Sequence, residues 1–205
     1  MKSRKKNILY TILIWVVILV GAYMYAHIDK MHTLYDEDVD TSSYIATGDL
    51  SKGVLEQTFL CEEDSLDGMS VKCQLFGDVT GIKLKYQLSE AGSDVVIAKG
   101  NMAAETIKNN QFTKFFFDEK VSECSNKQYL FKIMQENASE QQGVGFCYEN
   151  QVEEKSNLSI SGEDTEGTLI AKTITKRFDL ETFIVVVCFI AFIWAFFKVL
   201  YKLFK

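Results

Sequence analysis

Nineteen consecutive residues without charge or proline, Ile8–Ala26 (ILYTILIWVVILVGAYMYA), constrain this chain more than any other feature. As a helix rising 1.5 Å per residue they reach roughly 28 Å, the thickness of a bilayer's hydrocarbon core. The preceding MKSRKK holds four basic side chains, and the positive-inside bias assigns that end to the cytoplasm. A cleaved signal peptide shares the charged start and apolar core. Here the apolar run is longer than a signal core, and its best processing site, Val20-Gly21-Ala22, falls inside it. The expectation is an uncleaved signal anchor, with residues 1–6 as a cytoplasmic tail and 7–27 as a first transmembrane helix. Trp15 falls mid-span as a packing residue, while Tyr23 and Tyr25 suit the aromatic belt.

A second uncharged run, Phe183–Phe197, is extended by Leu200, Tyr201, Leu203 and Phe204, so residues 180–201 are the second expected span and 202–205 a short tail. Lys198, Lys202 and Lys205 share one helix face, where their stems can lie along the helix and their ammonium groups reach water. Both termini are therefore expected in the cytoplasm of a two-pass plasma-membrane protein, with the centre of the chain outside. Charge follows the same partition. Residues 28–178 hold 26 acidic and 15 basic side chains, against −6 for the whole chain. Such a domain repels phosphate backbones, which excludes nucleic acid as a partner.

Residues 28–54, acidic and carrying Asp36–Asp40 (DEDVD), are expected as a juxtamembrane tether. Residues 55–178 differ. Short runs of β-branched and aromatic residues recur between Gly, Asn and Asp punctuation, predicting strands near 56–61, 69–75, 81–89, 95–102, 112–117, 128–135, 144–148 and 168–177. Ile82, Leu84, Tyr86 and Leu88 alternate with Lys83, Lys85 and Gln87, and Tyr129, Phe131 and Ile133 alternate with Leu130, Lys132 and Met134. That is the period of a half-buried strand. Only 103–109 suggests a helical turn, and 150–167 reads as a long polar loop weakly interrupted by Leu158 and Ile160. The expected fold is mainly β, an antiparallel jelly-roll sandwich flanked by two transmembrane helices.

Five stretches in order, Gln57-Thr58-Phe59, Leu66–Val71, Ile82–Leu88, Asn110-Gln111-Phe112 with Phe115–Phe117, and Lys127–Ile133, carry a likeness to a known family. Residues 55–150 resemble an extracytoplasmic β-sandwich module, similar to galactose-binding-like jelly rolls, of Gram-positive envelope-polysaccharide membrane proteins. The resemblance implies a β-sandwich that accompanies envelope glycan assembly, with a glycan as possible ligand and membrane proteins of that assembly as partners. It brings no site residue with it. Relatives often have many spans or a glycosyltransferase domain, whereas this chain has two apolar runs, so no enzymatic role is expected. The alternative is an oligomeric structural or sensing protein resembling polysaccharide chain-length regulators, which share the two-span plan but have helical outer domains.

Individual residues add little chemistry. Cys61, Cys73, Cys124 and Cys147 are an even set in the exported part and allow three disulfide pairings. Cys61 has the parity of Phe59 and Cys73 that of Val71, which favours Cys61–Cys73 and leaves Cys124–Cys147, with buried free thiols as the alternative. Cys188 lies in the second span. The only histidines, His27 and His32, lie at the junction of the first expected span with the tether and within the tether, and no CxxC or glycine-rich phosphate loop occurs, so neither zinc chemistry nor a catalytic triad is suggested. No cofactor is expected. Glu62, Glu63, Asp64 and Asp67 form an acidic turn, a weak calcium candidate that fits no EF-hand spacing and reads better as a solvated loop. Within Phe115–Phe117, strand parity turns Phe115 and Phe117 inward and leaves Phe116 as the exposed aromatic. Ala191 and Ala195, one turn apart, offer a small-residue notch for another helix. Asn137-Ala-Ser139 and Asn157-Leu-Ser159 fit the glycosylation sequon, relevant only in a eukaryotic source.

Overall fold

The structure, a computed structural model, describes residues 2–51 and 53–204, with backbone only for residues 2–8. The side chains of the expected basic tail at 2–6, and all of Lys205, lie outside the described residues. Two compact units are present, one of residues 1–29 with 176–205 and one of residues 30–175.

The first unit is built on α1 (Lys2–Tyr25) and α2 (Leu180–Leu203). Asp179 caps α2, its Oδ1 accepting from the Glu181 and Thr182 amides at 3.0 and 3.3 Å, which satisfies two of the amides a helix start leaves open. α2 is long and apolar enough to cross a membrane, and none of its residues is buried. The described apolar stretch of α1, Leu9–Tyr25, is shorter than that length. Trp15 and Trp194 meet edge to face with centroids 6.0 Å apart, in keeping with Trp15 as a packing residue. The small residues that are buried are Ala22 and Ala26. Ala195 is exposed and Ala191 only half-buried, so the notch expected at Ala191 and Ala195 is not the one this unit closes. The Ala26 carbonyl instead accepts from the Asp179 amide at 2.9 Å.

The chain between the helices runs through β1 (His27–Thr33), β2 (Ile45–Ala46), β3 (Val54–Cys61), β4 (Ser65–Phe76), β5 (Lys83–Glu90), β6 (Val96–Ala103), β7 (Gln111–Ser122), β8 (Lys127–Glu136), β9 (Gly143–Glu149), β10 (Asn157–Ile160), β11 (Glu163–Thr165), β12 (Thr168–Leu169) and β13 (Ala171–Phe178). Among the described residues these form two antiparallel sheets. The seven-stranded sheet has the order β1-β13-β4-β9-β12, with β2 on β9 and β7 on β4; the six-stranded sheet has the order β11-β10-β3-β8-β5-β6. β13 and β9 lie end to end along one side of β4, and β7 follows its other side. Seven of the eight expected strands are found as single strands, the eighth (168–177) is divided into β12 on β9 and β13 on β4, and the helical turn near 103 is a 3-10 turn at Ala104–Thr106.

Two expectations are corrected. Residues 28–54 are not a free tether: β1 joins the edge of the seven-stranded sheet, β2 pairs with β9, and Leu50 enters the core. The polar stretch 150–167 is not a structureless loop, because Asn157–Ile160 pairs with β3 and buries Leu158.

Both sheets contribute to one core. β3 alternates strictly, with Leu55, Gln57, Phe59 and Cys61 inward, and β5 and β8 do the same with Leu84, Tyr86, Leu88 and Tyr129, Phe131, Ile133. Across the core Tyr86 meets Phe115 edge to face at 5.2 Å, and Phe115 touches Phe131 and Phe146 at 6.4 and 6.5 Å. The Tyr86 hydroxyl donates to the Phe116 carbonyl at 2.7 Å, tying the sheets together. Gly68 sits at a bulge where β4 approaches β7 so closely that a Cβ would lie 2.4 Å from the Phe115 carbonyl oxygen. Only glycine fits there.

Gln57, fully buried, and Gln135, half-buried, brace segments where ladder bonds are few. Gln57 Nε2 donates to Thr58 O, Ser156 Oγ and Asn157 O, while its Oε1 accepts from the Leu169 amide at 2.9 Å. Gln135 Nε2 donates to Asp49 O, Leu50 O and Val144 O, while its Oε1 accepts from the Val144 amide. The second set anchors the loop leading into β3 to the main sheets.

Candidate functional site

The richest side-chain cluster is on the outer face of the seven-stranded sheet. Strand pairing places Lys72 opposite Phe112, Ser70 opposite Lys114 and Gly68 opposite Phe116, so these outward positions form one surface. Lys172 joins it from β13, opposite Ser70 on the other side. Segment 34–44 crosses this face and adds Tyr35 and Tyr44. Tyr35 stacks on Phe112 with centroids 6.4 Å apart and meets Tyr44 edge to face at 6.1 Å. Lys72 Nζ is 4.9 Å from the Tyr44 ring centre, and Lys172 Nζ is 5.6 Å from those of Tyr35 and Phe112. Ammonium groups at these distances are held by the ring quadrupoles.

Charge is balanced locally. Lys172 pairs with Glu37 Oε1 at 3.0 Å. Burial depresses the Lys172 pKa, but Glu37 and Tyr35 more than offset it, leaving it above the usual value. Hydrogen bonds from Thr33 and then Lys172 hold Glu37 below the carboxylate range. Burial first, then Tyr35 and Glu149, push the Tyr44 phenol up to about 12. Glu149 is 1% exposed. Its Oε1 accepts from the Asp36 amide at 2.9 Å, and its Oε2 is buried without a partner among the described residues.

Burial raises the Glu149 pKa; the Asp36 amide opposes this, and the Asp36 and Glu153 charges add to it. The folded state therefore binds the Glu149 proton more tightly than the unfolded chain, for which 4.5 is the ordinary value. Its contribution is present below pH 4.5 and is lost as pH rises through the folded value. Urea midpoints measured from about pH 4 to about pH 7 are expected to fall more with rising pH in the wild type than in Glu149→Gln. Parallel pH profiles would refute this.

The residues singled out in the sequence are placed as follows. Phe116 is half-buried on the outer face beside Lys114 Nζ, 5.9 Å away, while Phe115 and Phe117 are in the core. The acidic turn does not converge: Glu62 faces His32 at 3.3 Å and Asp67 faces Lys120 at 3.8 Å. Among the described residues no group of three or more His, Cys, Asp or Glu side chains could hold a metal ion. His27 Nδ1 donates to the Tyr23 carbonyl at 2.8 Å.

All five cysteines are free thiols, and the favoured pairing is corrected. β3 and β4 belong to different sheets, so Cys61 and Cys73 are not neighbours. Cys61 lies beside Cys124. Cys73 lies opposite Phe146, which turns the next residue, Cys147, to the other face of β9. Burial pushes the Cys61 and Cys73 thiols up to about 12, far from a reactive thiolate at neutral pH. A separate groove of 520 Å³, lined by Gln87, Val96, Ile97, Lys99, Asp118 and Glu119, offers polar groups but no aromatic face.

Tyr35, Tyr44, Phe112, Lys72 and Lys172 were not recognised as a site from the sequence. Two of them lie in the supposed tether, and the others are single outward residues on strands that become neighbours only in the sheet.

No protein-family model and no curated protein matches the chain. Among solved structures, the clostridial cysteine protease Cwp84 after propeptide cleavage aligns with 72% of this chain and 40% of its own, at 13% identity and a TM-score of 0.44. The cysteine protease and lectin-like domains of Cwp84, a surface-layer-associated protein of Clostridium difficile, align with 72% and 36% at 16% identity and TM-score 0.38. The VP2 subviral particle of infectious bursal disease virus follows at 11% identity, 72% and 40%, and TM-score 0.28. The chain spans less than half the length of each, and likenesses this distant assign neither family nor activity.

Proposed function

We propose that the protein is a membrane-anchored, non-catalytic binding module of cell-envelope polysaccharide assembly, with its β-domain outside and a glycan as its ligand. The observation that carries this reading is the Tyr35–Tyr44–Phe112 cluster with Lys72 and Lys172. Aromatic faces suit the apolar faces of sugar rings, and ammonium groups suit sugar hydroxyls or carboxylates. The strand orders β1-β13-β4-β7 and β3-β8-β5-β6 interleave as in a jelly roll, with β9 to β12 added before the last strand. This fits the resemblance to envelope-polysaccharide modules. Raised thiol pKa values and the lack of a histidine within residues 55–178 favour binding over catalysis.

In this reading α2 is one span and α1 the other, both ends are cytoplasmic, and the basic flanks set the orientation. The mainly β outer domain argues against the chain-length-regulator alternative, whose outer domains are helical. The test uses intact cells displaying the full chain, overlaid with labelled envelope polysaccharide from the same organism. Wild-type cells are expected to retain polysaccharide, and a Tyr35→Ala/Phe112→Ala double variant at equal surface level to retain about tenfold less, the equivalent of ~1.4 kcal/mol. Equal retention by the variant, or none by wild-type cells, would reject the reading.

A further inference from the structure

Cys61 closes β3, and Cys124 opens the turn that leads into β8. The turn is fixed on both sides. The Lys127 amide donates to the Cys124 carbonyl at 3.0 Å, with Asn126 in the left-handed region at φ 61. The Asn126 amide donates to the Cys61 carbonyl at 2.8 Å, and the Cys124 amide to the Asp64 carbonyl at 3.2 Å. These bonds bring the two cysteines together although 62 residues separate them in sequence. Both are fully buried, and each thiol acts electrostatically on the other, with Tyr129 acting on Cys124 as well. Each thiol at present donates to a local carbonyl, Cys61 to Glu63 O at 3.4 Å and Cys124 to Val121 O at 3.3 Å. No other pair is placed this way: Cys73 and Cys147 occupy opposite faces of their sheet, and Cys188 is in α2.

We propose that Cys61 and Cys124 form a disulfide site, closed by exchange with a small-molecule disulfide such as oxidised glutathione. One protein thiol, as its thiolate, attacks the glutathione disulfide and releases one reduced glutathione. The second protein thiol then attacks the mixed disulfide and releases another. One S–S bond is broken and one is formed, the two protein thiols lose two electrons and two protons, and two glutathione thiols gain them. The cross-link joins the end of β3 in the six-stranded sheet to the turn that leaves β7 in the seven-stranded sheet. It closes the loop that contains β4, β5, β6 and β7. Backbone hydrogen bonds already hold both residues at the same turn, and a bridge there requires Cα atoms within about 7 Å of each other.

The full chain in detergent would be reduced and then equilibrated across glutathione ratios. Urea below the unfolding transition would let buried thiols exchange. Alkylation, digestion and mass spectrometry then read the linkage. One linked peptide pair containing Cys61 and Cys124 is expected, with Cys73, Cys147 and Cys188 alkylated. Cys124→Ser should lose the link and leave Cys61 alkylated, and Cys73→Ser/Cys147→Ser should keep it. Because the wild-type map decides the matter by itself, a variant that fails to fold does not obscure the result. Five alkylated cysteines at the most oxidising ratio, or any other linked pair, would overturn the assignment.

Discussion

Phe115→Ala is expected to destabilise the β-domain by about 3–5 kcal/mol, whereas Phe116→Ala, one residue away, should cost about 1 kcal/mol or less. Phe115 is fully buried on β7 and touches Tyr86, Phe131 and Phe146, so it contacts β5 and β8 of one sheet and β9 of the other. Truncation removes the burial of a whole ring. It also leaves a cavity that aromatic neighbours on strands fixed by ladder hydrogen bonds cannot collapse to fill. Against a typical domain stability of about 5–15 kcal/mol, that loss is enough to unfold a large fraction of molecules. Phe116 turns outward and is only half-buried, and it offers the core its backbone carbonyl, which the Tyr86 hydroxyl uses whatever the side chain. Urea unfolding followed by near-ultraviolet circular dichroism measures both variants. Equal losses at 115 and 116 would show that β7 does not alternate as described.

That contrast also marks what was legible in the sequence. Alternation has a period of two, so Ile82–Leu88 and Tyr129–Ile133 revealed both their strand character and their buried face without help from the rest of the chain. β1 (HIDKMHT) has no such alternation. It is a strand because β13 offers a free edge, and a sequence pattern does not record a partner some 140 residues away. The same limit hid the binding face, since Tyr35, Tyr44, Phe112, Lys72 and Lys172 come from four separate segments.

The cysteines show a different limit. Parity correctly turned Cys61 and Cys73 inward, but it does not say which inward residues are neighbours. Consecutive strands β3 and β4 belong to opposite sheets, so closeness in sequence was misleading, and it is the β7–β8 turn that brings Cys124 to Cys61.

Gln57 tests how far the fold depends on polar groups that a hydrophobic pattern cannot reveal. It occupies an inward position on β3 between Leu55 and Phe59, where a leucine would suit the alternation better. Gln57→Leu is nevertheless expected to cost about 2–5 kcal/mol, because each buried hydrogen-bonding group left without its partner costs about 1–3 kcal/mol. The Leu169 amide loses its acceptor, and Ser156 Oγ and Asn157 O lose a donor, at the start of β10 and beside β12, where ladder bonds are few. Leucine adds apolar contact but cannot accept or donate. Gln57→Glu keeps an acceptor for the Leu169 amide while losing the donor to three oxygens. At neutral pH it also buries a charge beside two carbonyls, so it should be the more damaging of the two and recover partly in acid. Hydrogen exchange localises the effect, with protection expected to fall first at the Leu158, Ser159 and Leu169 amides and to persist in β5 and β8. A Gln57→Leu domain within about 0.5 kcal/mol of wild type, with unchanged protection in β10, would mean that β3 pairing and the burial of Leu158 hold that segment without the glutamine.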